Sequence, residues 1–351
     1  MNDAGEAVGI KGLARHQIAD LVAELGQPSF RTGQIVRWLY PRGVTSFDEM
    51  TDLPGDLRAR LAERLPLSVP RLVDRQVSRL DGTRKYLFEL GDGVAIETVG
   101  LPTSDRLTVC FSTQAGCAMG CAFCATGASG LVRDLGPGEM VDQVRLVADD
   151  FGRRVTNAVA MGQGEPFANY AATLAGLRFM NSPEGLGIGA RHLTVSTCGL
   201  IPGIDRFSRE PEQFTLAVSL HSAVQRTRDR LMPGVRGMPL TALKTALVDY
   251  ADRTGRRPSF EYALVDGVND TDAEIAALCD YCAGMLVHVN LIPMNPVDGS
   301  DLARSAEARA QVFARRLAEV GVEASVRAER GADIDAACGQ LRQRRRDAEG
   351  P

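Results

Sequence analysis

No apolar run in this 351-residue sequence approaches the length that crosses a bilayer, and the stretch from Met1 to Gly12 is too polar for a secretion signal. A cytoplasmic location without membrane contact is the expectation. Lysine is confined to Lys11, Lys85 and Lys244, so arginine carries nearly all of the basic charge. Nor is there an excess of positive charge: the formal net of -4 is no sign of nucleic-acid binding. That exclusion is weak, because nucleic acid responds to local patches rather than to the sum. Arg315, Arg316, Arg327, Arg330, Arg342, Arg344, Arg345 and Arg346 crowd the C-terminal part. They suit either a solvated helix face and tail or contact with phosphates. Solenoid repeats and low-complexity tracts are missing as well. The eight cysteines do not imply a disulfide framework, since a chain of this size builds a core without staples.

The first hundred residues differ from the rest. Apolar residues recur at helical spacing over 17–25, where Ile18, Leu21, Val22 and Leu25 share a face, over 31–40, and over 55–65 behind Pro54. Shorter segments at 85–90 and 94–99, parted by Gly91-Asp92-Gly93, predict a hairpin. Residues 1–100 are assigned to a small accessory unit, 101–341 to a catalytic one and 342–351 to a basic polar tail. Beyond Arg106 strand and helix patterns alternate. Strands are expected at 107–111, 157–161, 192–197, 214–220, 259–265 and 287–292, and helices near 139–150, 170–180, 240–252, 272–282 and 303–320. These βα units predict an α/β fold, a parallel sheet covered by helices, forming an open or partial (βα)6 barrel. Sites in such folds form just past the strand ends.

Directly after the first of these strands comes Cys117-Ala-Met-Gly-Cys121-Ala-Phe-Cys124. Thiolates suit zinc or iron–sulfur centres, and a structural zinc site wants four ligands in two spaced pairs. The loop offers three, with no histidine near in sequence. A four-iron cube held by three cysteines keeps one iron open for a small molecule, so the gap in ligation favours an iron–sulfur centre over zinc or inert thiols. Other candidates end later strands. Gly162-Gln163-Gly164-Glu165-Pro166 follows the second, where close backbone approach and a carboxylate suit an ammonium group. Ser196 ends the third, Ser219 and His221 the fourth, and Asn295 follows the sixth. Singly each is an ordinary turn or cap residue; together they ring one end of the sheet. Two cysteines stand apart. Cys110 lies within the first strand, and Cys338 sits among glycine, aspartate and glutamine, poor company for a core residue.

The spacing Cys-x3-Cys-x2-Cys behind a strand at the head of a βα series resembles the motif of the radical S-adenosylmethionine (SAM) superfamily, and 162–166 resembles its Gly-Gly-Glu-Pro element. The resemblance implies a TIM-like radical SAM barrel with a [4Fe-4S] cluster on Cys117, Cys121 and Cys124. The open iron would bind the amino and carboxylate groups of SAM, which an electron cleaves to methionine and a 5′-deoxyadenosyl radical. A closer likeness covers essentially the whole chain. Cys117-x3-Cys121-x2-Cys124-Ala-Thr-Gly, Ser219-Leu220-His221, the stretches 30–40 and 260–270, and Ala336-Ala-Cys338-Gly-Gln-Leu341 together are similar to the dual-specificity adenine C2-methyltransferases of that superfamily. Those enzymes act on adenine 2503 of 23S rRNA and adenine 37 of some tRNAs.

By motif, this likeness implies that Gly164, Glu165, Ser196, Ser219, Leu220, His221 and Asn295 bind SAM and that Met161 lines the site. Cys338 takes a methyl group from one SAM, and the radical from a second SAM activates it. The resulting carbon adds to the adenine as a transient protein–RNA adduct. Glu97 removes the carbon 2 proton, and Cys110 attacks the Cys338 sulfur, releasing product and leaving a disulfide to be reduced. A flavodoxin or ferredoxin with its reductase is the implied electron donor. The two-thiol scheme also makes chemical sense by itself. Adenine carbon 2 is electrophilic and resists simple methylation by a sulfonium, whereas a second thiol gives the carbon–sulfur bond a route to break.

The chain departs from the family pattern in places. Gln163 stands where members usually carry methionine, which is expected to alter packing without abolishing SAM binding. Cys198 stands where serine is commoner and is not expected to be a ligand; Cys279 and Cys282 fall in a helical pattern and are expected to be helix residues. Two rival functions fit part of the pattern. Enzymes that methylate carbon 8 of the same rRNA adenine share the cluster and both lone cysteines, although the accessory region and Asp333-Ile-Asp335-Ala-Ala-Cys338 look more like the carbon 2 enzymes. A non-enzymatic metal-containing RNA-binding protein would need neither SAM turnover nor Cys338.

Overall fold

A computed structural model describes residues 9–295 and 300–334. The three amphipathic patterns near the start form α1 (Arg15–Glu24), α2 (Phe30–Leu39) and α3 (Gly55–Arg64). They bury the residues that the periodicity selects, among them Ile18, Val22, Ile35, Leu39, Leu57 and Leu61. Four antiparallel strands follow: β1 (Arg71–Val77), β2 (Arg84–Glu89), β3 (Ala95–Pro102) and β4 (Leu107–Cys110). The β2–β3 hairpin was expected and β1 was not. The β1 register shifts between Leu72 and Asp74, and such an irregularity scrambles the alternation by which a strand is read.

Next come a two-stranded ribbon, β5 (Gln114–Gly116) and β6 (Leu131–Asp134), and between them the short α4 (Ala125–Ala128). The chain then alternates through α5 (Pro137–Phe151), β7 (Asn157–Ala160), α6 (Tyr170–Asn181), β8 (Leu193–Thr197), α7 (Ile201–Phe207) and β9 (Thr215–Ser219). It ends with α8 (Gln225–Leu231), α9 (Leu240–Thr254), β10 (Ser259–Leu264), α10 (Asp272–Cys282), β11 (His288–Pro293), α11 (Glu307–Glu319) and β12 (Glu323–Val326). Strands β4 and β7 to β12 pair in parallel and continue β1–β3 into one ten-stranded sheet with β1 and β12 at its edges. This is the expected α/β partial barrel, with corrections. The sequence pattern does not predict the short helices α4, α7 and α8, the β5–β6 ribbon or the edge strand β12. The last helix begins later than expected because Ala303 and Arg304 pair with the end of β10: the Asp266 N–H donates to the Ala303 carbonyl at 2.9 Å, and Arg304 forms a bridge with Val265.

Alternation along the parallel strands sorts side chains onto two unlike faces. Leu193, Val195, Leu216, Val218, Phe260, Tyr262, Val289 and Leu291 are fully buried in one core with Val144, Leu174, Ile204, Leu247, Leu278 and Phe313 of the covering helices. The other face carries Thr194, Ser196, Ser219, Glu261, Asn290 and Ser325, with Ser219, Glu261, Asn290 and Ser325 in register across four strands. A parallel sheet covered on both faces is apolar on both. A polar inner face is the wall of a cavity.

The accessory helices dock on the far side of the helix layer. Lys11 donates to both carboxylate oxygens of Asp142 on α5 at 2.8 Å, and the Tyr40 ring lies 4.6 Å from that of Phe179 on α6. Breaking such a buried pair from one side costs about 3–5 kcal/mol. Among the described residues no helix is long and apolar enough to cross a membrane.

Candidate active site

The cysteine loop is an excursion between β5 and β6, closed at its neck by glycine. Gly116 has φ +77°, and a Cβ there would fall 2.0 Å from the Gly130 carbonyl oxygen, which accepts from the Cys117 N–H at 2.9 Å. The tip is pinned from behind: the Ala122 N–H donates to the Leu231 carbonyl and the Gly234 N–H to the Met119 carbonyl, both at 2.9 Å. Cys117, Cys121 and Cys124 then face one cavity of about 270 Å³, lined also by Met161, Gly164, Glu165, Ser196, Ser219 and His221. Burial pushes the Cys117 thiol up, and burial with the neighbouring Cys124 and Cys117 thiols pushes Cys121 up to about 12. Crowded buried thiols of this kind become thiolates only beside positive charge, which a metal centre supplies. Among the described residues no group of three His, Cys, Asp or Glu side chains converges on a single ion. Three soft donors around one cavity, with a fourth position left open, suit a four-iron cube better than a structural zinc ion, which takes four protein ligands.

The loop after β7 is built by close approach. A Cβ on Gly162 would meet the Phe111 carbonyl and Ser112 Oγ at 2.7 Å. Ser112 Oγ accepts from the Gln163 N–H at 2.9 Å and donates to the Glu97 carbonyl at 2.7 Å, tying this loop to β3. Gly164 adopts φ +102° against Gln114, and the Gln114 Oε1 accepts from the Glu165 N–H at 2.8 Å. Glu165 is almost wholly buried, accepting from the Phe167 N–H (2.9 Å) and the Cys198 N–H (2.7 Å), while burial raises its pKa. The Gln163 side chain is buried outside the cavity lining, with its Oε1 unpartnered. Cys198 lines the cavity, but burial and the Glu165 carboxylate hold its thiol far above its usual range.

His221 is the sole non-glycine residue with positive φ (54°) among the described residues, a left-handed conformation uncommon outside glycine. Its Nδ1 accepts from the Ala263 N–H at 2.9 Å, and its own carbonyl accepts from Asn269 Nδ2 at 2.6 Å. Burial, with the Arg228 charge, lowers its pKa to about 3. The neutral ring with Nδ1 as acceptor carries its proton on Nε2, so it presents a donor. Phe123 of the cysteine loop packs on it at 4.4 Å.

Other predicted residues lie elsewhere. Glu97 on β3 and Cys110 on β4 are buried, and because Val99 pairs with Cys110, Glu97 shares its face two residues along. Both fall outside the lining of this cavity, as do Leu220, buried in the core, and Asn295, half-buried past β11. Cys338 lies outside the described residues. Cys279 and Cys282 are buried in the core, inward on α10. Among the lining residues that sequence reasoning did not select, two are charged, Glu261 and Arg327. Glu261 accepts from Asn290 Nδ2 at 2.8 Å, and its Oε2, 3.8 Å from Arg327 Nη1, is buried without a hydrogen bond. The available signal was the alternation Ser259-Phe-Glu261-Tyr, which puts a carboxylate opposite two aromatics on a strand expected to be apolar throughout.

Comparison with known proteins places these features together. Residues 8–67 match the ribosomal RNA large subunit methyltransferase N-terminal domain, and residues 111–282 match the radical SAM superfamily. A "probable dual-specificity RNA methyltransferase RlmN" of Pelotomaculum thermopropionicum is 46% identical over 97% of this chain and 93% of its own length. Its counterpart in Symbiobacterium thermophilum is 44% identical over 95% and 91%. The crystal structure of a radical SAM methyltransferase from Sphaerobacter thermophilus aligns with a TM-score of 0.87 at 46% identity, covering 95% of this chain and 98% of that one.

Proposed function

Because the chain belongs to the RlmN family of radical SAM RNA methyltransferases, we propose that it methylates carbon 2 of adenine 2503 in 23S rRNA and of adenine 37 in certain tRNAs. The observation that carries the reading is the single cavity shared by Cys117, Cys121 and Cys124 with Met161, Gly164, Glu165, Ser196, Ser219 and His221. When bound there, a [4Fe-4S] cluster and SAM supply one-electron chemistry able to attack an unactivated carbon.

The chain's residues divide the remaining work. The three loop thiolates hold the cluster. The neutral His221 donates from Nε2, and the Ser196 and Ser219 hydroxyls stand beside it for the polar groups of SAM, with Gly164, Glu165, Leu220 and Asn295 shaping the surrounding backbone. Met161 closes an apolar side. Cys338 carries the methyl group that becomes bonded to the adenine, and Glu97 takes the proton from carbon 2. Cys110, on the neighbouring strand and the same face as Glu97, attacks the Cys338 sulfur; the carbon–sulfur bond breaks with its electron pair passing to the methylene carbon, which takes a proton to become the methyl group, and the new disulfide is returned to thiols by a dithiol reductant. The reducing electron comes from a flavodoxin or ferredoxin.

RNA contact is assigned in part to the accessory helices. Phe30 is exposed with the Arg31 guanidinium 5.0 Å from its ring centre, and Arg42 stacks on Trp38 at 3.8 Å, surfaces suited to bases and phosphates. The test is to reconstitute the protein anaerobically, react it with RNA and resolve the digested nucleosides by mass spectrometry against isomer standards. 2-Methyladenosine is the expected product. 8-Methyladenosine would move the assignment to the carbon 8 class, and unmodified RNA from a cluster-loaded enzyme would overturn it.

A further inference from the structure

Arg228, on α8, is 1% exposed. A guanidinium buried to that degree ordinarily stands against a carboxylate. Here no Asp or Glu among the described residues forms an ion pair with it. Its Nη2 donates to the carbonyls of Cys198 (2.6 Å) and Ser219 (3.5 Å), and its Nε is buried without a partner. Carbonyl oxygens orient a guanidinium but do not neutralise it. The room it occupies is kept open by Gly199, whose Cβ would fall 3.0 Å from Nη2. Among the described residues Asp229, next to it on α8, acts on it without forming an ion pair, so the buried positive charge still calls for an anion.

The direction in which that anion lies can be read from the neighbours. The two residues whose carbonyls its Nη2 meets, Cys198 and Ser219, both line the cavity of the cysteine loop. The helix that carries it also braces the loop, since the Leu231 carbonyl accepts from the Ala122 N–H. Three thiolates outweigh the two positive charges of an oxidised four-iron core, so a cluster there is an anion, and each electron added makes it more so.

We propose that Arg228 is the built-in counter-charge of the iron–sulfur site, a positioning residue that favours entry of the electron into a cluster on Cys117, Cys121 and Cys124. The inference rests on the cluster assignment above. No bond forms or breaks and no proton moves: one electron passes from an external low-potential reductant to the cluster. A fixed positive charge in a region of low dielectric stabilises the reduced state more than the oxidised one, which makes the reduction potential less negative.

The test compares full-length wild type, Arg228→Gln and Arg228→Lys. Iron and sulfide are measured first, then the midpoint potential by redox titration followed by electron paramagnetic resonance, without SAM or RNA. Arg228→Gln should bind the cluster and disfavour reduction by about tenfold or more, which is 59 mV for one electron. Arg228→Lys should stay near wild type. An unchanged potential in the glutamine variant, or an equal shift in the lysine variant, overturns the inference. Should Arg228→Gln not load, thermal unfolding of the apoproteins decides. A counter-charge lacking its anion burdens the apoprotein, so apo Arg228→Gln should melt no lower than apo wild type. Lower melting would mean that Arg228 is only a clamp on two carbonyls, and the inference would be wrong. Wild type that binds no cluster would defeat the cluster assignment itself, a separate failure.

Discussion

Alanine at Gly164 tests whether the loop after β7 is held by backbone geometry. At φ +102° this residue lies beyond the left-handed helical region that other residues sometimes visit, and holding alanine there costs about 1–3 kcal/mol. The added Cβ would also lie 2.6 Å from Gln114 Cβ and 2.7 Å from its Cγ and backbone nitrogen. Overpacking of this kind adds about 1–3 kcal/mol. Gln114 cannot swing clear without loss, because its Oε1 accepts from the Glu165 N–H at 2.8 Å and its Nε2 donates to Asp134 at 2.6 Å. The two contributions together come to about 2–6 kcal/mol. If the loop shifts to relieve them, Glu165 leaves the Phe167 and Cys198 amides, and a displacement of about 1 Å at such a site costs on the order of 100-fold in rate. Gly237→Ala is the matched control: its φ is +83° and a Cβ would meet nothing within 4 Å. Urea unfolding of the apoproteins and equilibrium binding of SAM to the reconstituted proteins measure both effects. Gly164→Ala should be the less stable of the two and should lose SAM affinity, whereas Gly237→Ala keeps it. Equal stability and equal affinity in the two variants would refute the steric argument.

Three further outcomes are expected. Because burial holds His221 near 3 while the unfolded chain titrates near 6.5, its contribution is complete above pH 6.5 and is lost as the pH falls towards 3. His221→Gln, which can accept from Ala263 and still donate, should therefore lose less stability than wild type on acidification; parallel pH–stability curves would contradict the buried neutral ring. Cys117→Ala, Cys121→Ala and Cys124→Ala should each lose most of the roughly 4 iron and 4 sulfide of a cubane, and full content in any one removes that residue from the ligand set. Cys110→Ala should accumulate a nuclease-sensitive protein–RNA adduct that survives reductant, while Cys338→Ala should keep its cluster and form neither adduct nor product. Wild-type turnover by Cys110→Ala without adduct would refute the two-thiol route.

Much of the site was legible because its parts are close neighbours along the chain. The three cysteines lie within eight residues, and a loop that short brings them to one cavity wherever the strands go. The amphipathic faces of α1 to α3 likewise follow from a periodicity of a few residues. Register between parallel strands has no such local origin. Ser219, Glu261, Asn290 and Ser325 stand side by side because the intervening helices, packed on the sheet, set where each strand re-enters it. That alignment brings Glu261 and Arg327 into the cavity. The same holds for Glu97 beside Cys110, and for fully buried Lys85, which pairs with the Val99 that also pairs with Cys110. Arg228 is the extreme case. In sequence it is one of several arginines on a short helix, and only the packing of α8 against the residues that end β8 and β9 takes it out of water. Chemistry carried by spacing could be read from the chain, whereas the electrostatic setting of that chemistry depends on which distant surfaces exclude solvent, and packing alone decides that.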